Sequence, residues 1–317
     1  MRIEYHRTLI ADKARNAAFY AALKASIVPG ETIVADIGTG TGLIGLLAAH
    51  LGAKRVYMYE TAAVGEVAER IVRANKARVC ELMACHSVEM LDPPHADVVV
   101  SETLGNYAFE ENIISTLNDA VARHLKPGGR LIPSSVTQFV SPVVTSRIHD
   151  ELRAWDDVGP ALGVNSLDLS VAKAMSFNNV YVRKFAAEEL LDAGRSALAW
   201  DTVEFARKPS SNRKGDARWR LDAQRSIFGF AVWWRATLAP GIDLATGPGD
   251  PPTHWEQLYF PIAQPLRCNA GDQLELSLRS RSSEEAGTHL AWTAVHLDGG
   301  AAKLSRQGHD LDKGYLP

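Results

Sequence analysis

Three short stretches carry the side chains that could do chemistry. From Val34 to Gly45 the chain reads VADIGTGTGLIG. Closely spaced glycines let a backbone pass very near a ligand, and a following helix presents free N–H groups and the positive end of its dipole. The spacing Gly40-x-Gly42-x-x-Gly45 is that of a dinucleotide turn, whereas Asp36-x-Gly38-x-Gly40-x-Gly42 is that of a methyl-donor turn. Glu60, about twenty positions on, suits ribose hydroxyls in either case. Asp36 and Gly38 have no task in a dinucleotide turn. They do suit a ligand carrying both an ammonium and a sulfonium.

The second stretch, SETLGNYAFEEN from Ser101 to Asn112, follows an apolar strand, and carboxylates at the carboxyl end of a parallel strand enter the crevice where such sheets bind ligands. The third is Thr253-His254-Trp255. Taken singly, each has an ordinary reading: Glu110 or Glu111 as a solvated loop acid, His254 as a hydrogen-bonded strand-end histidine, Arg15 as a surface arginine.

In combination, Glu102, a second glutamate nine residues later and Thr253-His254-Trp255 resemble the double-glutamate and threonine-histidine-tryptophan loops of the protein arginine methyltransferase family. Matching segments fall in family order from about residue 6 to residue 298, including LIADKARN (9–16), the glycine turn, HLKPGG and THWEQLYF. The resemblance implies S-adenosylmethionine as cofactor and S-adenosylhomocysteine as product. It places His6, Arg15, Asp36, Gly38, Thr39, Gly40, Gly42, Leu43, Glu60, Thr61, Val88 and Glu102 at the cofactor, with Arg15 on its carboxylate and Val88, preferred over Glu89 by a one-residue choice of alignment, supplying backbone contacts. Glu102, Glu111, His254 and Asp12 become the catalytic set. Glu102, Glu111, Tyr107, His254 and Trp255 become the substrate-binding set, with Glu111 chosen over Glu110 by family spacing alone. No metal is implied.

Guanidinium stays charged throughout the accessible pH range and its nitrogens are poor nucleophiles. A sulfonium is cationic too, and two unit charges at ~4 Å and an effective dielectric of ~20 repel by about 4 kcal/mol. Two carboxylates offset that repulsion and can hold one nitrogen in line with the methyl group. His254, with Asp12 beside it, could take the departing proton, directly or through Glu102 or Glu111.

The elements that must position these residues read as α/β. A helix is expected over His6–Ile27, a strand over Thr32–Ile37, a helix over Leu43–Leu51, a strand ending at Glu60 and a helix to about Ala74. Strands follow near Val79–Ala84 and 96–101, then a helix over Ile113–Leu125. The expected fold is a Rossmann-like class I methyltransferase domain with a parallel sheet, residues 1–133, followed by an antiparallel β-barrel-like domain, 134–317. Trp219, Trp233 and Trp234 read as core residues of that second half. The basic stretch 207–220 reads as a solvated hairpin tip. Residues 158–180 read as a partly helical insertion standing where the family carries its dimerisation arm, so a homodimer is expected.

The chain departs from the family in two places. Only Met1–Tyr5 precede His6, leaving Tyr5 as the remnant of an aromatic lid, and the loop between the glutamates lacks the tryptophan-methionine pair of many eukaryotic members.

Composition excludes several classes. In 317 residues the net charge is -3, with 22% charged and 46% apolar residues, so neither nucleic acid nor a membrane surface is an expected partner. Cys80, Cys85 and Cys268 show no metal-type pairing and fit buried thiols in a reducing, cytoplasmic setting. The acceptor is then arginine, a small guanidino metabolite or an arginine peptide. The reading leans to free arginine and mainly one methyl, because no accessory module or extended single-sign surface is evident for docking a basic protein tail. Protein arginine methylation, an NAD-dependent dehydrogenase and an inactive cofactor-binding regulator are the alternatives.

Overall fold

The computed structural model describes residues 3–164 and 166–314, without the side chain of Tyr5. The chain begins with two helices, α1 (Ile3–Ala11) and α2 (Lys13–Lys24). It then alternates β1 (Ile33–Ile37), α3 (Leu43–His50), β2 (Arg55–Tyr59), α4 (Val64–Ala74), β3 (Cys80–Met83), β4 (Ala96–Ser101), α5 (Ile113–Arg123) and β5 (Leu125–Ile132). These strands form one parallel sheet in the order β3-β2-β1-β4-β5. Crossover helices cover such sheets on both faces, which is why β4 is a near-continuous apolar run with Val98, Val99 and Val100 all buried. Strand order reverses between β1 and β4, and the crevice for a ligand opens at their carboxyl ends.

The single helix expected over His6–Ile27 is in fact two, broken at Asp12. Asp12 takes an extended conformation and its Oδ1 accepts the Arg15 amide at 2.9 Å, satisfying a donor at the start of α2. The remnant-lid reading of Tyr5 falls on a side chain outside those described. The glycine turn is instead approached by α1, whose His6 ring lies 3.6 Å from where a β-carbon on Gly40 would stand.

Between Ile132 and Ser135 the chain leaves the parallel sheet. It continues through β6 (Ser135–Val143), α6 (Arg147–Leu152), α7 (Trp155–Leu162), α8 (Ser170–Phe177), β7 (Tyr181–Arg183), β8 (Leu198–Glu204), β9 (Asn212–Arg220) and β10 (Arg225–Ala239). β11 (Ile242–Ala245), β12 (Gln257–Cys268), β13 (Gln273–Ser283), β14 (Gly287–Leu297) and β15 (Lys303–Asp310) complete it. The strands are antiparallel, as expected, but among the described residues they form two sheets rather than a closed barrel: β7-β12-β10-β6-β8 with β11 on β10, and β15-β14-β13-β9. The basic stretch is another correction. Residues 212–220 are edge strand β9, paired with β13 along its length, with Arg218 and Arg220 on the solvent face and Ala217 and Trp219 on the buried one. Period-two alternation hides such a strand among its charges. The insertion is helical through α7 and α8, and it exposes Trp155, Leu162, Val171 and Met175.

Trp219 and Trp234 lie in a core cluster that runs through both halves of the molecule, joining Val99, Phe109 and Leu117 to Leu276 and Trp292. Trp233, on the other face of β10, packs in a second cluster with Val143, Leu190 and Tyr259.

Candidate active site

The switch point of the parallel sheet carries a cavity of about 250 Å³, walled by the glycine turn, the ends of β2 and β4, helix α1 and the loop after β3. Gly38 and Gly40 both have left-handed backbones, and a β-carbon on Gly38 would stand 2.7 Å from Thr103 Cγ2. Gly42, also left-handed, starts α3 behind the wall, where a β-carbon would meet Met58 Cε at 2.8 Å. Gly45 lets α3 close on Met58 in the same way. The turn is thus bare backbone toward the cavity and tightly packed behind it.

Glu60 ends β2 with its carboxylate on the Gly40 amide at 2.9 Å and the Ala62 amide at 2.8 Å. Thr39, Leu43 and Thr61 complete that side. Two wall groups are suited to an incoming ligand: the buried His6 Nε2 and Ser87 Oγ have no protein partner among the described residues. Buried polar atoms are rarely left so. Backbone cradle, carboxylate and unsatisfied polar atoms fit an adenosyl ligand with a cationic end.

Glu102, just after β4, and Glu111, in the loop just before α5, share the wall. Glu102 is already gripped: Arg15 Nε donates to its Oε2 at 2.6 Å, and Arg15 Nη2 donates to the same oxygen. Both side chains are buried. Burial pushes the Glu102 carboxyl up to about 7, with Arg15 opposing and Glu111 adding to the rise. Burial and the nearby Glu60 also raise Glu111. Glu110 is separated from its neighbour by geometry. Its carboxyl folds over Gly105, where a β-carbon would stand 1.9 Å from Oε2, and only Glu111 reaches the cavity.

Asp12 joins distant segments. While Oδ1 caps α2, Oδ2 accepts both the amide and the ring Nδ1 of His254, each at 2.7 Å. Burial lowers the His254 pKa, against the raising influence of Asp12, so its ring is neutral at neutral pH. Burial would raise the Asp12 pKa, but bonds from Arg15 and His254 outweigh it and hold the carboxyl low.

The β half also pins the double-glutamate loop. Trp255 Nε1 donates to Leu104 O at 2.8 Å, Trp234 Nε1 donates to Gly105 O at 2.9 Å, and the Glu256 amide donates to Asn106 Oδ1 at 2.9 Å. Tyr107 donates its hydroxyl to Ser280 Oγ at 2.6 Å. Each bond falls between Glu102 and Glu111.

Not every expected residue reaches the wall. Asp36 is fully buried beneath the turn, where it accepts the Thr39 hydroxyl and burial pushes its pKa to about 6, so it supports the turn rather than meeting the ligand. Val88 stands outside the lining; its amide is taken by His86 Nδ1 and its carbonyl by Arg123, and the neighbouring Ser87 occupies the wall instead. Tyr107 and Trp255 are buried anchors of the loop, and His254 lies behind the wall, tilted against Trp255 with ring centroids 3.8 Å apart. Ser87 and Thr116 of α5 are wall residues without a motif, and Leu9 and Ile10 of α1 line the wall from the 9–16 segment without having been assigned a role. The only sequence signal of Ser87 and Thr116 is position beside an element end.

A family model for the PRMT5 oligomerisation domain matches residues 135–303, and one for ribosomal protein L11 methyltransferase matches residues 20–155. The chain is 26% identical over 313 residues to protein arginine N-methyltransferase 6 of Xenopus tropicalis, spanning 96% of this chain and 92% of that protein. It is 28% identical over 285 residues to arginine N(omega)-methyltransferase of Streptomyces achromogenes subsp. streptozoticus, spanning 86% and 75%. Among solved structures the fold is similar to the Trypanosoma brucei PRMT1 enzyme-prozyme heterotetrameric complex with AdoHcy, with a TM-score of 0.84 at 21% identity over 98% of both chains.

Proposed function

Because the chain belongs to the protein arginine methyltransferase family and is an S-adenosylmethionine-dependent arginine N-methyltransferase, we propose that Glu102 and Glu111 are the clamp on the acceptor guanidinium. The observation that carries this reading is Arg15: the protein's own guanidinium is seated on Glu102 in the wall of the cavity that Glu111 also lines. A carboxylate that takes one guanidinium through two N–H groups has the geometry to take another.

The cofactor, when bound, supplies a methyl group on a cationic sulfonium. Arg15 and His6 suit its amino-acid end, the Gly38–Gly40 backbone its approach, Glu60 its ribose and Ser87 its base. Glu102 and Glu111 orient the guanidinium and lower the electrostatic cost of bringing two cations together. His254 stands behind the wall, so the departing proton reaches it through a wall carboxylate. With a pKa near 7, Glu102 can hold that proton transiently at neutral pH. Asp12 fixes the tautomer of His254 that accepts it.

The acceptor is free arginine or a small guanidino compound, methylated mainly once. This lean is supported by the likeness to the Streptomyces arginine N(omega)-methyltransferase. The likeness to protein arginine N-methyltransferase 6 supports a peptide acceptor as the second reading. We further take the exposed apolar face of α7 and α8 as the arm of a homodimer, with residues 1–133 and 134–317 as the two domains. Labelled cofactor incubated with free arginine, agmatine and an arginine peptide tests the acceptor: label chiefly on arginine, as the monomethyl product, is expected. Label confined to the peptide overturns the small-molecule reading and leaves the clamp standing.

A further inference from the structure

On the face of β10 opposite the active site the sheet carries a second cleft, of about 320 Å³. Side chains alternate along a strand, so Trp234 reaches the catalytic loop while Trp233 and Arg235 face this cleft. Phe139, directly across on β6, stacks with Trp233 at an interplanar angle of 17° and a centroid separation of 6.3 Å. The guanidinium of Arg235 stands 5.6 Å over the Phe139 ring. The result is a stacked aromatic pair, its Trp233 largely buried, with a cation over the Phe139 ring.

The rim opposite is a turn in which Asp192 and Ala193, followed by Gly194, have φ of 51°, 53° and 79°. Consecutive left-handed residues are disfavoured by their β-carbons, and such backbones gather at binding sites. This turn brings Arg195 to the cleft. Among the described residues neither Arg195 nor Arg235 is in an ion pair. The acid in the lining is Asp250, whose Oδ2 accepts the Gly247 amide of its own loop at 2.9 Å. That loop lies close on the pair: a β-carbon on Gly247 would stand 2.8 Å from Trp233 Nε1.

We propose that this cleft is a binding site for a small carboxylate with an apolar body, its carboxylate held by Arg195 and Arg235 and its body packed against the Phe139–Trp233 pair. Guanidinium forks match a carboxylate in plane, and an indole and a phenyl ring reward an apolar group with burial. The site is separate from the methyl-transfer cavity, so its test stands apart from the reading of that cavity.

Isothermal titration of the full chain with phenylacetate checks the proposal, with benzyl alcohol and inorganic sulfate as comparison probes. Saturable heat with phenylacetate is expected, at least tenfold weaker for the other two. Arg195→Gln and Arg235→Gln should each weaken phenylacetate by tenfold or more while methyl transfer and melting temperature stay as in the parent. No heat up to 10 mM phenylacetate, equal affinity in both variants, or equal affinity for benzyl alcohol or sulfate would each overturn it.

Discussion

Glu102 differs from an ordinary carboxylate in two opposed ways, and both have measurable consequences. Burial raises its pKa to about 7, and Arg15 draws it back toward ionisation. The clamp needs the ionised form. Activity is therefore present above pH 7 and lost as pH falls through it: kcat/KM for the acceptor should show an ascending limb with an apparent pKa near 7. A flat profile between pH 6 and 8 would count against Glu102 as clamp. Glu111 lacks the tie to Arg15, so Glu111→Gln isolates the clamp from the cofactor side. We expect kcat to fall at least 100-fold, about 2.7 kcal/mol of transition-state stabilisation, with the cofactor dissociation constant within a few-fold of the parent. Comparable losses in both quantities would move Glu111 to cofactor binding. Family spacing points to Glu111 over Glu110, but the residues themselves give no physical reason for that choice. The structure supplies one for its position: Glu110 folds over Gly105 and Glu111 lines the cavity.

At the scale of elements, one aspartate sets how helices and loops meet. Asp12 caps α2, places Arg15 in its first turn and holds His254 from a loop 242 residues away. Asp12→Asn keeps a good cap but removes the charge that supports His254 as proton acceptor, so turnover should drop while the melting temperature changes little. Asp12→Ala should lose the cap as well, destabilising the protein by about 1 kcal/mol. Thermal melts beside turnover separate the two roles, and an Asn variant as active as the parent would remove His254 from the proton path. The break at Asp12 was hidden because the apolar positions of 6–27 continue a helical rhythm across it. Strand β9 was hidden because its solvent face carries the charges.

For the whole molecule, the two halves act as one device. The parallel sheet supplies the carboxylates, and Trp234, Trp255 and Ser280 of the β half bind the loop between them. The proposed arm would extend this dependence to a second copy. If α7 and α8 bury Leu162 and Val171 against a partner, Leu162→Asp should convert a dimer to a monomer in light scattering and lower turnover with it. A parent protein that is monomeric at micromolar concentration would sink the dimer.

Local chemistry was readable along the chain: the glycine turn, the Glu60 position, the strand-end Glu102 and the alternation of strand and helix that builds a parallel sheet. These depend on residues near one another in the chain, where spacing and geometry are nearly the same thing. Only the folded arrangement shows that Asp36 supports the turn from beneath, that Arg15 sits on Glu102, and that Tyr107 and Trp255 anchor the loop rather than line the cavity. It also opened the β strands into two sheets. Such outcomes depend on burial and on contacts between residues far apart in sequence, and spacing along the chain carries no measure of either.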